Sequence, residues 1–320
     1  MKKRLITSAF IVLVLALSLV ARIWTLYVFD LLILGLGVMG AVEIARVLER
    51  QGKYTNFTLV GTMPATLYLL FIVVIRFDLM WQYLVLMLLT SIIFYFILIF
   101  LVTLLSKKTS KQEILKYGLD NTTLTRYALD KAMYSLSVLV YPTLLFMSLI
   151  FINHFYELSF VRELSLSTNF KTFTWFILIG VFVVTMVTDS MAYVVGSSLK
   201  GPKLCPLISP NKTISGALGG LLFGVSANML LYWLFTSKFA FTFEMKMIKT
   251  TWVAVMLISL FGSLITQIGD IIASALKRKS RVKDYGTIFP GHGGVMDRVD
   301  GLVCNAMLNF LVYFIIFITI

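Results

Sequence analysis

Near the C-terminus, carboxylates and cations are spaced so that they could handle phosphate. The segment 277–301, KRKSRVKDYGTIFPGHGGVMDRVDG, holds six of the chain's 28 Lys and Arg residues, three aspartates and one of its two histidines. Asp297 and Asp300 lie three residues apart, so on a helix the two carboxylates share a face. With Asp270 upstream they offer hard oxygen ligands to Mg2+, an ion that usually keeps waters and adds substrate phosphate oxygens. Lys277, Arg278, Lys283 and Arg298 can hold further phosphate charge. The glycines of PGHGG, 290–294, let backbone approach a ligand closely. A plainer reading makes the basic residues an orientation signal and the aspartates surface ion pairs. That reading needs no histidine, no glycine pair and no aspartate inside an apolar run.

Two further clusters accompany this segment. Asp189, in TDSMAYVVG, and Asp270, in TQIGDIIASALKRK, both fall late in long apolar runs. A carboxylate in a bilayer costs roughly 2.5–3.5 kcal/mol on insertion scales, so such residues tend to be paired and functional. Ser263, Gln267, Asp270, Ser274 and Lys277 recur at three- and four-residue steps and form one polar stripe. The stripe reads either as a seam between helices or as an approach to a site. The loop 197–213, SSLKGPKLCPLISPNKT, presents Ser209, Lys212 and Thr213 just before another apolar run. A helix N-terminus there suits a phosphate, although Ser or Thr at that position also caps a helix.

These groups must be positioned by membrane helices. The chain is 59% hydrophobic and only 13% charged, far from soluble-globular composition. Apolar runs long enough to span a bilayer fall at about 6–24, 26–47, 58–75, 79–105, 133–152, 174–196, 214–236, 250–273 and 302–320. The expected fold is therefore all-α: a polytopic integral membrane helical bundle of about nine transmembrane helices. No alternation of a barrel type is seen. The first run follows MKKR and reads as a retained helix rather than a cleaved signal. Placing the N-terminus in the cytoplasm puts 21 of the 28 basic residues on that side, which satisfies the positive-inside rule. The expectation is a multi-pass cell-membrane protein whose site lies at the cytoplasmic edge. Residues 1–130 form N-terminal helices, with a polar cytoplasmic segment at 106–132. Residues 131–320 form the catalytic region, and the whole makes one integrated membrane domain.

Several features point elsewhere and are set aside. GLGVMG, 35–40, fits a dinucleotide fingerprint, but that motif requires a strand before it and a βαβ unit around it. Inside an apolar span, close helix packing is the better reading, as it is for Gly216, Gly220 and Gly224. The formal net charge of +13 suits anionic headgroups and a phosphorylated substrate, not nucleic acid, because it gathers on one membrane face. Cys205 and Cys304 have no metal-ligand spacing.

The segment SALKRKSRVKDYGTIFPGHGGVMDRVD, 274–300, resembles the signature of phosphatidate cytidylyltransferases. Gly269–Asp270, DSMAYVVG at 189–196 and ISPNKTISGALGG at 208–220 fit the same family. Two positions depart from it: Asn211 stands where the family usually has a second lysine, and Ser215 where it has an acid. The resemblance implies that CTP and phosphatidate react to give CDP-diacylglycerol and pyrophosphate at the membrane edge. It implies Mg2+ on Asp270, Asp297 and Asp300, in a centre that could hold a second cation. Lys212, Lys277 and Arg298 would contact phosphate, with Ser209, Thr213, Lys283 and Asp189 in substrate binding. His292 would be either a base or an orienting hydrogen bonder; a phosphate nucleophile is already ionised and needs no strong base. Membrane lipids are the expected surroundings, and a homodimer is left open. Rival readings are a related CTP-dependent enzyme acting on another lipid phosphate, and an ion-coupled transporter. Polar groups collected at one face rather than near the midplane disfavour the transporter.

Overall fold

The structure is a computed structural model and describes residues 2–116, 123–159, 161, 170–238, 251–289, 291 and 293–319. Among them, eight helical stretches are long and apolar enough to cross a membrane. α2 (Tyr27–Arg50), α3 (Phe57–Arg76) and α4 (Trp81–Leu105) follow a first helix, α1 (Lys2–Ala21). Within α1, Phe10–Ala21 is a further apolar stretch, shorter than the eight among the described residues. α5 (Lys107–Lys116) is polar. α6 (Leu124–Val138) and α7 (Leu145–Asn153) form one span, interrupted at Leu139–Leu144 by a π turn containing Pro142. Proline removes an amide donor and crowds the preceding turn, which accounts for the interruption. α8 (Phe170–Leu199), α9 (Ile214–Lys238), α10 (Thr251–Lys279) and α11 (Met296–Thr319) complete the set. Large apolar side chains such as Leu69, Ile93 and Leu222 point outward, as expected of helices solvated by lipid.

The chain divides into two compact units with interleaved boundaries. The first comprises Met1–Met147 with Lys279–Asp297, and the second Ser148–Arg278 with Arg298–Ile320. In the first unit α2 packs on α3, α3 on α4 and α4 on α6. Its core includes Phe29, Ile33, Met63, Leu67 and Phe71. Asn56 caps α3 by accepting from the Leu59 amide at 3.2 Å. GLGVMG lies within α2, and a Cβ at Gly40 would meet the Phe146 ring at 2.9 Å and Met296 Sδ at 3.1 Å. Gly37 and Gly40 thus serve helix packing, whereas a Cβ at Gly35 would meet nothing within 4 Å.

In the second unit, α8 and α9 make the most extensive helix pair. A Cβ on Gly216 would fall 2.5 Å from the Ala192 carbonyl oxygen, and one on Gly220 would fall 2.6 Å from that of Thr188. Four-residue glycine spacing therefore lets two backbones touch. α10 and α11 cross in the same way: Gly301 sits against the Thr266 carbonyl and Gly269 against that of Asp300. Gly220→Leu is expected to force α8 and α9 apart and lower the thermal midpoint in detergent by more than about 5 °C. Gly61→Leu, placed where a Cβ meets nothing within 4 Å, should shift it by less than ~2 °C. Equal shifts would contradict the packing account.

Helix direction separates the two ends of this unit. Phe151, Phe173, Phe176, Tyr232, Phe310, Tyr313 and Phe317 stack into an aromatic cluster at one end. Midway, Asn305 donates to Thr185 Oγ1 at 3.1 Å, Thr188 pairs with Ser263 at 2.9 Å and Asn228 donates to Ser259 at 2.7 Å. The opposite end gathers the C-termini of α8 and α10, the N-terminus of α9, and Arg298 and Asp300 of α11.

Candidate active site

A short hairpin organises that end of the second unit. β1 (Lys203–Cys205) pairs antiparallel with β2 (Ser209–Thr213), joining α8 to α9. From sequence, 197–213 is expected to be a polar loop. Strands of three and five residues, with prolines at 206 and 210, carry little strand signal. β2 ends where α9 begins, and Thr213 Oγ1 accepts from the Gly216 amide at 3.1 Å. Thr213 therefore caps α9, the more conservative of the two roles its position allowed. Ser215, at one of the departures, donates to Thr213 Oγ1 and accepts from the Gly201 amide, tying hairpin to helix.

The hairpin projects Lys212 toward α10. Its ammonium sits 2.6 Å from Asp270 Oδ2, with both side chains partly exposed. Ser274, one turn on, donates to Asp270 Oδ1 at 3.3 Å. Asp189 of α8 and Asp300 of α11 are close enough to Asp270 and Lys212 for their charges to interact. Lys277 adds a second positive charge acting on Asp300, and Arg278 donates to the Ile208 carbonyl at 3.3 Å. Three carboxylates and two lysines from α8, β2, α10 and α11 thus converge.

The polar stripe on α10 divides into two functions. Ser263 bonds Thr188, and Gln267 Nε2 donates to the Ala217 carbonyl at 3.2 Å, so that half is a helix–helix seam. Asp270, Ser274 and Lys277 form the half at the charged end. Ser209 lies in β2 opposite Cys205, and Arg298 is exposed at the start of the second unit's part of α11.

The first unit carries the remainder of the signature. Lys283 is exposed there. Asp297 Oδ2 accepts from the Tyr285 amide at 2.7 Å and the Gly294 amide at 2.8 Å, fastening the loop before α11. Gly291 and Gly293 adopt φ of +78° and +88°, a region that costs other residues energy. His292 lies outside the described residues.

One residue of this unit escaped the sequence reading. Glu43, 1% exposed in the middle of α2, accepts from the Val295 and Met296 amides at 3.0 Å each. Like Asp189 and Asp270, it is an acid inside an apolar run, as is Asp30, fully buried and bonded to the Tyr68 hydroxyl at 3.1 Å.

The carboxylates of the second unit suit a hard divalent cation in type, since their donors are all oxygen. Among the described residues, no three His, Cys, Asp or Glu side chains are drawn together tightly enough to hold a metal by themselves.

Apolar spans around a carboxylate–lysine cluster define a polytopic membrane protein with a polar site at one helix end. The chain belongs to the cytidylyltransferase family, whose model matches residues 2–316. A phosphatidate cytidylyltransferase of Brucella abortus biovar 1 (strain 9-941) is 40% identical over 149 residues, 47% of this chain and 51% of that protein. The phosphatidate cytidylyltransferase of Bacillus subtilis (strain 168) is 42% identical over 122 residues, 38% of this chain and 41% of that protein. That of Staphylococcus haemolyticus (strain JCSC1435) is 38% identical over 131 residues, 41% of this chain and 46% of that protein. The chain spans about half the length of the curated relatives it matches.

Proposed function

We propose that this protein transfers a cytidylyl group from CTP to phosphatidate, giving CDP-diacylglycerol and pyrophosphate. The observation that carries the reading is the Lys212–Asp270 pair at 2.6 Å, set among the charges of Asp189, Asp300 and Lys277. A phosphatidate oxygen attacks the α-phosphorus of CTP and forms a new P–O bond. The bond from that phosphorus to the α,β-bridging oxygen breaks, and its electron pair leaves with pyrophosphate. The attacking phosphate is already ionised, so no side chain need remove a proton. Lys212, Lys277 and Arg298 hold phosphate oxygens and offset the charge brought by two substrates. Asp270 and Asp300 would hold Mg2+, and the family signature adds Asp297. When bound, the ion neutralises phosphate charge and stabilises the pyrophosphate leaving group. Asp189, Ser209 and Lys283 belong to the proposed substrate site, in which Thr213 fixes the hairpin that presents Lys212.

The reading also sets the orientation. One substrate is a water-soluble triphosphate and the other a lipid with its phosphate at the interface, so the charged helix end faces the cytoplasm of the cell membrane. The 21-of-28 basic bias supports this. Single cysteines placed in 197–213 or 276–299, in a protein lacking Cys205 and Cys304, should resist an impermeant maleimide until cells are lysed. Ready modification in intact cells would overturn the orientation. Activity is tested with purified protein, Mg2+, CTP and phosphatidate in detergent micelles. CDP-diacylglycerol and pyrophosphate should form in equal amounts, and pyrophosphate release without lipid product would contradict the reaction.

A further inference from the structure

We propose that Glu43 is a positioning residue: its buried carboxylate, contributed by a helix remote in sequence, anchors the glycine-rich loop and first turn of α11 that present Asp297. The proposal rests on the cytidylyl-transfer reading for its effect on rate, but not for the anchor itself. Oε1 accepts from the Val295 amide and Oε2 from the Met296 amide, each at 3.0 Å. Those amides open α11, and helix N-termini leave backbone donors in need of partners. An otherwise costly buried carboxylate is thereby satisfied and two donors are filled at once. Arg46, one turn along α2, adds a favourable charge.

Two signature glycines answer to the same side chain. A Cβ on Gly286 or on Gly294 would run into the Glu43 carboxylate. Both segments of the loop therefore close against this group so tightly that only hydrogen fits at each Cα. Asp297 also clasps the loop, through the amides of Tyr285 and Gly294. The loop is held between two carboxylates, one from α2 and one from α11. Both hydrogen bonds of Glu43 go to backbone amides, so it acts through the loop. Glutamine is a poor substitute, because its amide nitrogen cannot accept the second N–H.

The test uses the full chain in detergent, with Glu43→Gln, Glu43→Ala, Gly286→Ala and the Glu43→Ala/Gly286→Ala double variant. Backbone hydrogen exchange across 284–297 should quicken by about tenfold or more in Glu43→Gln, while 57–76 stays at the wild-type rate. Turnover should fall about 30-fold or more, with a raised Mg2+ requirement and a CTP KM within about threefold of wild type. Gly286→Ala should cost about tenfold alone but less than about threefold on Glu43→Ala, because the clash has been removed. If Glu43→Gln does not fold, folded Gly286→Ala carries the test by the same exchange and rate changes. Wild-type exchange and rate in both single variants would overturn the proposal. So would faster exchange with unchanged turnover, or full additivity in the double variant. If the wild type itself makes no CDP-diacylglycerol, the proposed reaction fails while the exchange comparison still decides the anchor.

Discussion

Asp270→Asn is expected to lower the rate of CDP-diacylglycerol formation by about a thousandfold or more while leaving the protein folded. Asp270 sits among like charges from Asp189 and Asp300, and its direct partners are Lys212 at 2.6 Å and Ser274 at 3.3 Å. Asparagine keeps the shape and removes one negative charge from a crowded carboxylate cluster. Insertion and the thermal midpoint without Mg2+ should therefore hold or improve. What should disappear is the stabilisation by Mg2+ and CTP, since a ligand that binds only the folded state raises stability by mass action. Thermal unfolding with and without these ligands, for both proteins, makes the comparison. Equal ligand-induced stabilisation with retained turnover would return Asp270 to the helix seam that Ser263 and Gln267 already form.

Asp297→Ala should behave in the opposite way. Its carboxylate takes amides from Tyr285 and Gly294, and removing it strands both donors. Each unmet donor costs about 1–3 kcal/mol, so the loss is on the order of 2–6 kcal/mol. The thermal midpoint without ligand should fall by more than about 5 °C, and turnover should fall with it. Asp297→Asn keeps an acceptor oxygen and should lie between. Asp270 and Asp297, given the same metal-ligand role by the sequence pattern, thus separate by stability: Asp270 is a charge to be compensated, and Asp297 also a fastening. An unchanged midpoint for Asp297→Ala would show that the loop is held by other contacts.

The helices were legible because lipid imposes a simple code: long apolar runs with charges between them. That code blurred at 133–152, where the helix starts earlier in the polar Leu124–Ala132. Glycine spacing at 216, 220 and 224 announced the α8–α9 contact correctly, because backbone approach has few other solutions. Within the site, Asp270 and Lys212 were each visible, but their pairing was not. It depends on a hairpin whose strands are too short and proline-rich to show periodicity. Glu43 was visible as an acid inside an apolar run, but its role was not: its partners are backbone amides some 250 residues away, and backbone groups leave no mark in a sequence. The glycines at 286 and 294 marked the place without naming what presses on it.

The central claim is tested most directly by following phosphorus. Purified protein with Mg2+ and phosphatidate receives CTP labelled at either the α- or the γ-phosphorus, and the lipid extract is counted. Cytidylyl transfer predicts that α-label enters the lipid, that γ-label is released as pyrophosphate in equal amount, and that both cease in Asp270→Asn. Label from the γ-position in the lipid, no lipid label from either position, or undiminished transfer in Asp270→Asn would contradict it.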